Sequence, residues 1–281
     1  MRQMRKRALV AVIGAAATSA VLLALSPAFF AGPAGVRYQG HAGAIRLEAW
    51  FGVPLKAIAT RNWAGYSLAG SRFTGVTGTF NVPAPLRSES CLEETAVWVG
   101  VDGVDNHDLL QAGVAETGFS LPNNPARTEW PEPATPPILC GGPVRIFAWW
   151  DDLPSGPVLV KLPVAVGDRI AVSLFKMSPG WWALTVHDLS TNRSFFLAQP
   201  YGGPQTSVEW VVEAPEVMGI LRNPVPFSTV NFRYLGAEGE ARDLEGFSFR
   251  SGGHVASPSE VIGGGGQIIR GFTVHWVRSR S

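Results

Sequence analysis

The chain has 281 residues, 46% of them hydrophobic and 16% charged, with 23 basic against 22 acidic side chains. That balance excludes a disordered acidic chain, a coiled coil and a strongly basic nucleic-acid binder, and the length suits one large domain or two small ones. Its 32 glycines and 22 prolines announce frequent turns.

In chain order, Arg2, Arg5, Lys6 and Arg7 precede an uncharged apolar run of 18 residues from Ala8 to Leu25, the pattern of an export signal. Pro27 breaks the run, and cleavage is expected after Ala31; the same run is almost long enough to stay as an uncleaved anchor. The expected location is extracellular, secreted or held by that anchor facing outside. Without residues 1–31 the chain keeps 19 basic and 22 acidic residues, a net charge of −3. Residues 32–60 read as a propeptide or N-terminal extension with a short helix around Ile45–Phe51, and residues 61–281 as the main domain. In an oxidising compartment two cysteines more often pair than stay free, so a Cys91–Cys140 disulfide is predicted. It would close a loop of about 50 residues, worth roughly 4 kcal/mol before native strain is subtracted. There is no CxxC or HExxH, and His41, His107, His187, His254 and His275 are scattered, so neither a metal site nor a cofactor is expected.

From Asn62 onward, short runs of Val, Ile, Phe, Trp and Thr alternate with Gly and Pro, with almost no 3.6-residue period. Strands are predicted near 63–69, 73–82, 94–101, 108–115, 144–150, 169–176, 181–189, 194–199, 207–213, 228–234 and 270–277. The fold class is therefore all-β, two antiparallel sheets packed face to face. Leu121–Pro143 and Gly263–Gly266 read as long loops.

Strand side chains alternate between faces, which sorts four of these segments. Val97, Val99 and Val101 oppose Trp98, Gly100 and Asp102; Leu110, Ala112 and Val114 oppose Leu109, Gln111 and Gly113. Phe147, Trp149 and Asp151 share one side, and Val208, Trp210 and Val212 oppose Ser207, Glu209, Val211 and Glu213. If the four strands share a sheet, one face carries Trp98, Asp102, Gln111, Trp149, Asp151 and Glu209. The plain reading is the polar outer face of any sandwich. Against it, solvated faces favour Lys, Arg, Thr and Glu, whereas this set combines large aromatics with acids and an amide, which suits a substrate groove.

At these residues the sequence resembles the eqolisins, the glutamic peptidases. The blocks are Asn62-Trp63-Ala64-Gly65-Tyr66, the run from Phe73 to Pro83, Ala96 to Gly103, Leu110 to Val114 and Ser207 to Glu213, with weaker similarity at Gly271 to Trp276. The resemblance implies a lectin-like (concanavalin-like) β-sandwich, acid endopeptidase activity, and a catalytic pair at Gln111 and Glu209. Trp98, Asp102, Trp149 and Asp151 fall on groove positions that hold substrate or orient the pair. Asp151 is a departure, because the family usually carries a glutamate there; a solvated turn of Asp151 and Asp152 before Pro154 is the alternative.

The implied chemistry suits those side chains. A carboxylate can take a proton from water as it attacks a peptide carbonyl and return it to the departing amine, and an amide can donate to the oxygen that becomes negative. The expected partners are polypeptide substrates, with no nucleic acid and no membrane contact beyond an N-terminal anchor, and the chain is expected to be a monomer. A non-catalytic carbohydrate-binding or adhesion module on the same sandwich is the alternative from another class. A serine hydrolase has only a near-miss in Gly65-Tyr66-Ser67-Leu68-Ala69, where the final glycine is alanine.

Overall fold

Strands rich in β-branched and aromatic residues gain most when one side of the pleat is buried, and here that burial selects the layers. The computed structural model describes residues 58–86, 93–118, 144–217, 220–259, 262–264 and 268–278. The predicted signal segment, most of the extension, the Cys91–Cys140 pair and the Leu121–Pro143 loop lie outside these residues. The described residues form β1 (Ile58–Ala59), β2 (Trp63–Asn81), β3 (Glu94–Val101), β4 (Leu109–Thr117), β5 (Arg145–Leu153), β6 (Val158–Leu159), β7 (Arg169–Ser178) and β8 (Trp181–Asp188). There follow β9 (Arg193–Pro200), β10 (Ser207–Glu213), β11 (Glu216–Val217), β12 (Ile220–Leu221), β13 (Thr229–Ser251), β14 (His254–Pro258), β15 (Ile262–Gly264) and β16 (Ile268–Arg278), with no helix among the described residues.

One run of antiparallel pairs goes β13-β2-β10-β3-β4-β5-β6, and β7, β8 and β9 branch from β2. Residues 63–69 of β2 pair with β10, whereas residues 75–81 pair with β7. β2 therefore passes from one layer to the other, and β13 follows it, with register shifts between Glu238 and Glu240 and between Ala241 and Asp243. At the crossing, a Cβ on Gly70 would lie 2.0 Å from the Glu240 carbonyl oxygen, so only glycine admits that approach.

β3 and β4 pack across β7 and β8 without pairing with them. Val97, Val99, Leu110, Val114, Val208 and Trp210 meet Ile170, Val172, Leu174, Trp182 and Leu184 in one core. The expected β-sandwich is thus present, its two layers joined through β2 and β13. The separate strands predicted at 63–69 and 73–82 are one bent strand, Arg72 taking a left-handed φ of 56° rather than making a turn. β13 runs 17 residues beyond its predicted end at 234, through Gly236, Gly239 and five charged residues from Glu238 to Glu245. Those residues have little strand preference of their own, and pairing along β2 holds them extended. Gly263 and Gly264, predicted as loop, pair against β16 in β15, and Ile58–Ala59 of the predicted extension pair in parallel with β13.

Candidate active site

Directly paired residues on neighbouring strands project from the same side of a sheet, so register alone builds the site. Ser67 pairs with Glu209, Glu209 with Gly100, Gly100 with Gln111, and Gln111 with Asp151. These five residues make one row across β2, β10, β3, β4 and β5. With neighbouring strands about 4.8 Å apart, the backbones at Glu209 and Gln111 stand roughly 10 Å from each other, with Gly100 between them. A Cβ on Gly100 would lie 2.9 Å from Trp98 Cζ3, 3.0 Å from Leu109 Cδ1 and 3.3 Å from Gln111 Cβ. Glycine at this position lets the Trp98 and Leu109 side chains close over the backbone between Glu209 and Gln111.

The next row places Trp98, Gly113 and Trp149 side by side. Trp98, Trp149, Ala96, Leu109, Ala115 and Val211 form a second apolar cluster, on the opposite side of the sheet from the main core. Trp63 packs edge-on against Trp98 with centroids 5.0 Å apart. Trp98 Nε1 donates to Glu213 Oε2 at 2.7 Å, and Asn62 Nδ2 donates to Glu213 Oε1 at 2.9 Å, so Glu213 fixes the indole from the far end of β10.

Buried polar atoms usually find partners, and those that do not mark strain or function. On this one face, both carboxyl oxygens of Glu209, the hydroxyls of Ser67 and Ser207, Gln111 Oε1, Asp151 Oδ1 and Trp149 Nε1 have no hydrogen-bond partner among the described residues. Burial raises the Glu209 carboxyl well above the usual carboxylate range. The Ser207 hydroxyl, two residues earlier on the same face, opposes that rise without reaching hydrogen-bond geometry, and the Asp102 charge adds to it. Burial likewise pushes Asp151 up to about 6, opposed by the Asp152 backbone and by a side-chain hydrogen bond from Gln111. Asp151 is thus a buried strand residue beside Gln111 rather than part of a solvated turn. Glu213 is pushed up to about 7 by burial, against the hydrogen bonds from Trp98 and Trp63.

Asp102 stands apart from the row. It follows β3 with a left-handed φ of 70°, is fully buried, and accepts hydrogen bonds from Tyr201, Asn106, Gln205 and Thr206. Its oxygens are engaged with its own chain, on the loop that leads into β10. Gln111, Glu209, Trp98, Trp149 and Asp151 do share one face, as the alternation predicts.

A face of this composition on this sandwich is what the resemblance implies, and comparison with known proteins decides the family. Residues 61–248 match the Peptidase A4 family. The chain belongs to that family. It is a peptidase of the glutamic, or eqolisin, class. The peptidase is 27% identical over 210 residues to Scytalidopepsin B of Scytalidium lignicola, covering 70% of this chain and 72% of that protein. It is 25% identical over 225 residues to Aspergillopepsin-2 of Aspergillus niger, covering 71% and 68% respectively. Its fold matches the crystal structure of scytalido-glutamic peptidase with a transition state analog inhibitor at a TM-score of 0.58 and 19% identity, covering 77% of this chain and 98% of that one.

Three residues of the candidate site escaped the sequence reading. Ser67 drew notice only as a hydrolase near-miss, although its place on β2 puts it beside Glu209. Glu213 lies on the correct face by alternation, but nothing in the sequence links it to Trp98. Tyr201 lies in a loop, where no periodicity operates.

Proposed function

We propose that the mature chain is exported, with residues 1–31 removed, and hydrolyses polypeptides in acid using Glu209 for proton transfer and Gln111 for oxyanion stabilisation. The observation that carries this reading is the row in which Glu209 and Gln111 flank Gly100, with both carboxyl oxygens of Glu209 and Gln111 Oε1 buried and unpartnered among the described residues. A scissile carbonyl held between the two side chains meets Glu209 on one side and Gln111 on the other. The Glu209 carboxylate takes a proton from water as the water oxygen bonds to the carbonyl carbon. The carbonyl electron pair moves onto its oxygen, which accepts a hydrogen bond from the Gln111 amide. The intermediate then collapses, the C–N bond breaks, and Glu209 returns its proton to the departing amine. Burial favours the neutral acid, so in acid the ionised Glu209 that takes the water proton is the minor form, and that form is a stronger base than a free glutamate.

Asp151 serves Gln111 in this scheme. Below about pH 6 it is neutral and carries a hydroxyl that can donate to Gln111 Oε1, leaving the amide NH2 to face the groove. Trp98 and Trp149 supply the apolar wall for substrate. Asp102 orients the pair rather than touching substrate, a role supported by the donors that already occupy its oxygens.

Hydrolysis of an unfolded protein substrate by the processed chain from pH 2 to 7, beside Glu209→Gln, tests the proposal. Acid-dependent cleavage lost in the variant is the expected result; a folded variant with unchanged turnover sinks it.

A further inference from the structure

The loop between β9 and β10, residues 201–206, wraps the buried Asp102 carboxylate. Tyr201 Oη donates to Asp102 Oδ2 at 2.8 Å, and the backbone amides of Gln205 and Thr206 donate to Oδ2 and Oδ1 at 2.9 and 2.8 Å. Gly203 closes over these groups: a Cβ there would lie 2.2 Å from Tyr201 Oη and 2.6 Å from Asp102 Oδ2. The other side of the loop is fastened to the second layer. The Tyr201 ring packs edge-on against Trp182 of β8 with centroids 6.0 Å apart, its amide donates to the Gly180 carbonyl at 3.0 Å, and Lys176 of β7 donates to Gln205 Oε1 at 2.8 Å. β10 begins at Ser207, directly after the loop, and Glu209 is its third residue.

We propose that Tyr201 is a positioning residue for hydrolysis, holding the Asp102 carboxylate against the start of β10 and so setting the placement of Glu209. The inference rests on the reading of Glu209 as the proton-transfer group. Asp102 is the charged group that acts on Glu209, opposing its ionisation. The other ionisable groups on this face of the described strands are Glu94 at the start of β3, Asp151 and Arg145 on β5, Glu213 further along β10, and Asp243 and Glu245 on β13. Burial, reinforced by the Asp102 charge and by Asp108 and Glu209, raises the Tyr201 hydroxyl above its ordinary range, so it remains a donor at every working pH. Phenylalanine at this position keeps the ring on Trp182 and removes only the donor. An Asp102 carboxylate with one donor fewer is held less firmly beside the start of β10, so its charge opposes ionisation of Glu209 less.

The test measures kcat and KM of the processed full chain on a peptide substrate from pH 2 to 7 for wild type, Y201F, G203A, D102N, Y201F/D102N and E209Q. For Y201F the expected result is a roughly 10-fold fall in kcat with KM little changed, and an acid limb moved to lower pH. G203A, which drives a methyl between Tyr201 Oη and Asp102 Oδ2, gives a similar fall in kcat without altering either side chain. The double variant is no slower than D102N, because Tyr201 acts through Asp102. Folded Y201F or G203A with wild-type kcat and an unmoved acid limb overturns the inference, as do additive losses in the double variant. Full turnover by E209Q would instead overturn the underlying assignment of Glu209. An inactive E209Q beside an unmoved Y201F profile removes only the role of Tyr201.

Discussion

Glu116 allows the electrostatics of this sandwich to be tested without disturbing the Glu209 row. It lies on the core-facing side of β4, paired with Thr95 and Ile146, fully buried, with neither carboxyl oxygen partnered among the described residues. Burial pushes its pKa from the ordinary 4.5 up to about 8. The folded chain therefore keeps a proton that the unfolded chain has lost throughout that window. The contribution to stability is fully present below pH 4.5, declines as pH rises, and is gone by pH 8. At about 1.36 kcal/mol per pH unit, the window corresponds to roughly 5 kcal/mol, against a whole-domain stability of about 5–15 kcal/mol. Urea unfolding of wild type and Glu116→Gln at pH 4.5 and 7.5 checks this. Between those two pH values wild type should lose roughly 4 kcal/mol more than the variant. Both proteins retain some decline, because burial also pushes Glu94 up to about 7, opposed by Arg222 and aided by Glu213, while Asp151 and Glu213 rise for the reasons given above. Parallel losses in the two proteins, differing by less than about 1 kcal/mol, would refute the argument that burial holds the Glu116 proton.

Gln111→Ala should lower kcat by about 100- to 1,000-fold with KM little changed, as expected for loss of one oxyanion donor; an effect confined to KM would count against that role. Gly100→Ala should forfeit activity by pushing a methyl into Trp98, Leu109 and Gln111, while costing about 1–3 kcal/mol of stability, and wild-type turnover would show that this close packing does not place the pair. Glu213→Ala should cost about 1–3 kcal/mol by leaving Trp98 Nε1 without its acceptor, and Glu213→Gln, which keeps an oxygen there, should cost less. Equal stabilities of those two variants by urea unfolding would contradict the Trp98 contact.

Much of the site was legible because the side-chain period of a strand is two residues. Alternation within 96–102, 109–114, 146–152 and 207–213 was sufficient to put Trp98, Gln111, Trp149, Asp151 and Glu209 on one face, and the pairing agrees. Asp102 shares that parity but sits beyond the end of β3, where a left-handed φ of 70° turns its carboxylate into the 201–206 loop. Parity has no authority outside a strand. The second half of β13 was illegible for the opposite reason, since glycine and alternating charges carry no strand signal until β2 supplies partners.

The sequence by itself determined the all-β class and the division of faces, which follow from local periodicity, and the candidate pair through its resemblance to the eqolisins. Tertiary structure alone decided that β10 lies beside β3, which sets Glu209 across Gly100 from Gln111 although 98 positions separate them in the chain. It also decided that the 201–206 loop closes on Asp102 and that Glu213 holds Trp98. Strand order and register depend on which apolar faces bury one another, a property of the whole sandwich that no local stretch of residues contains.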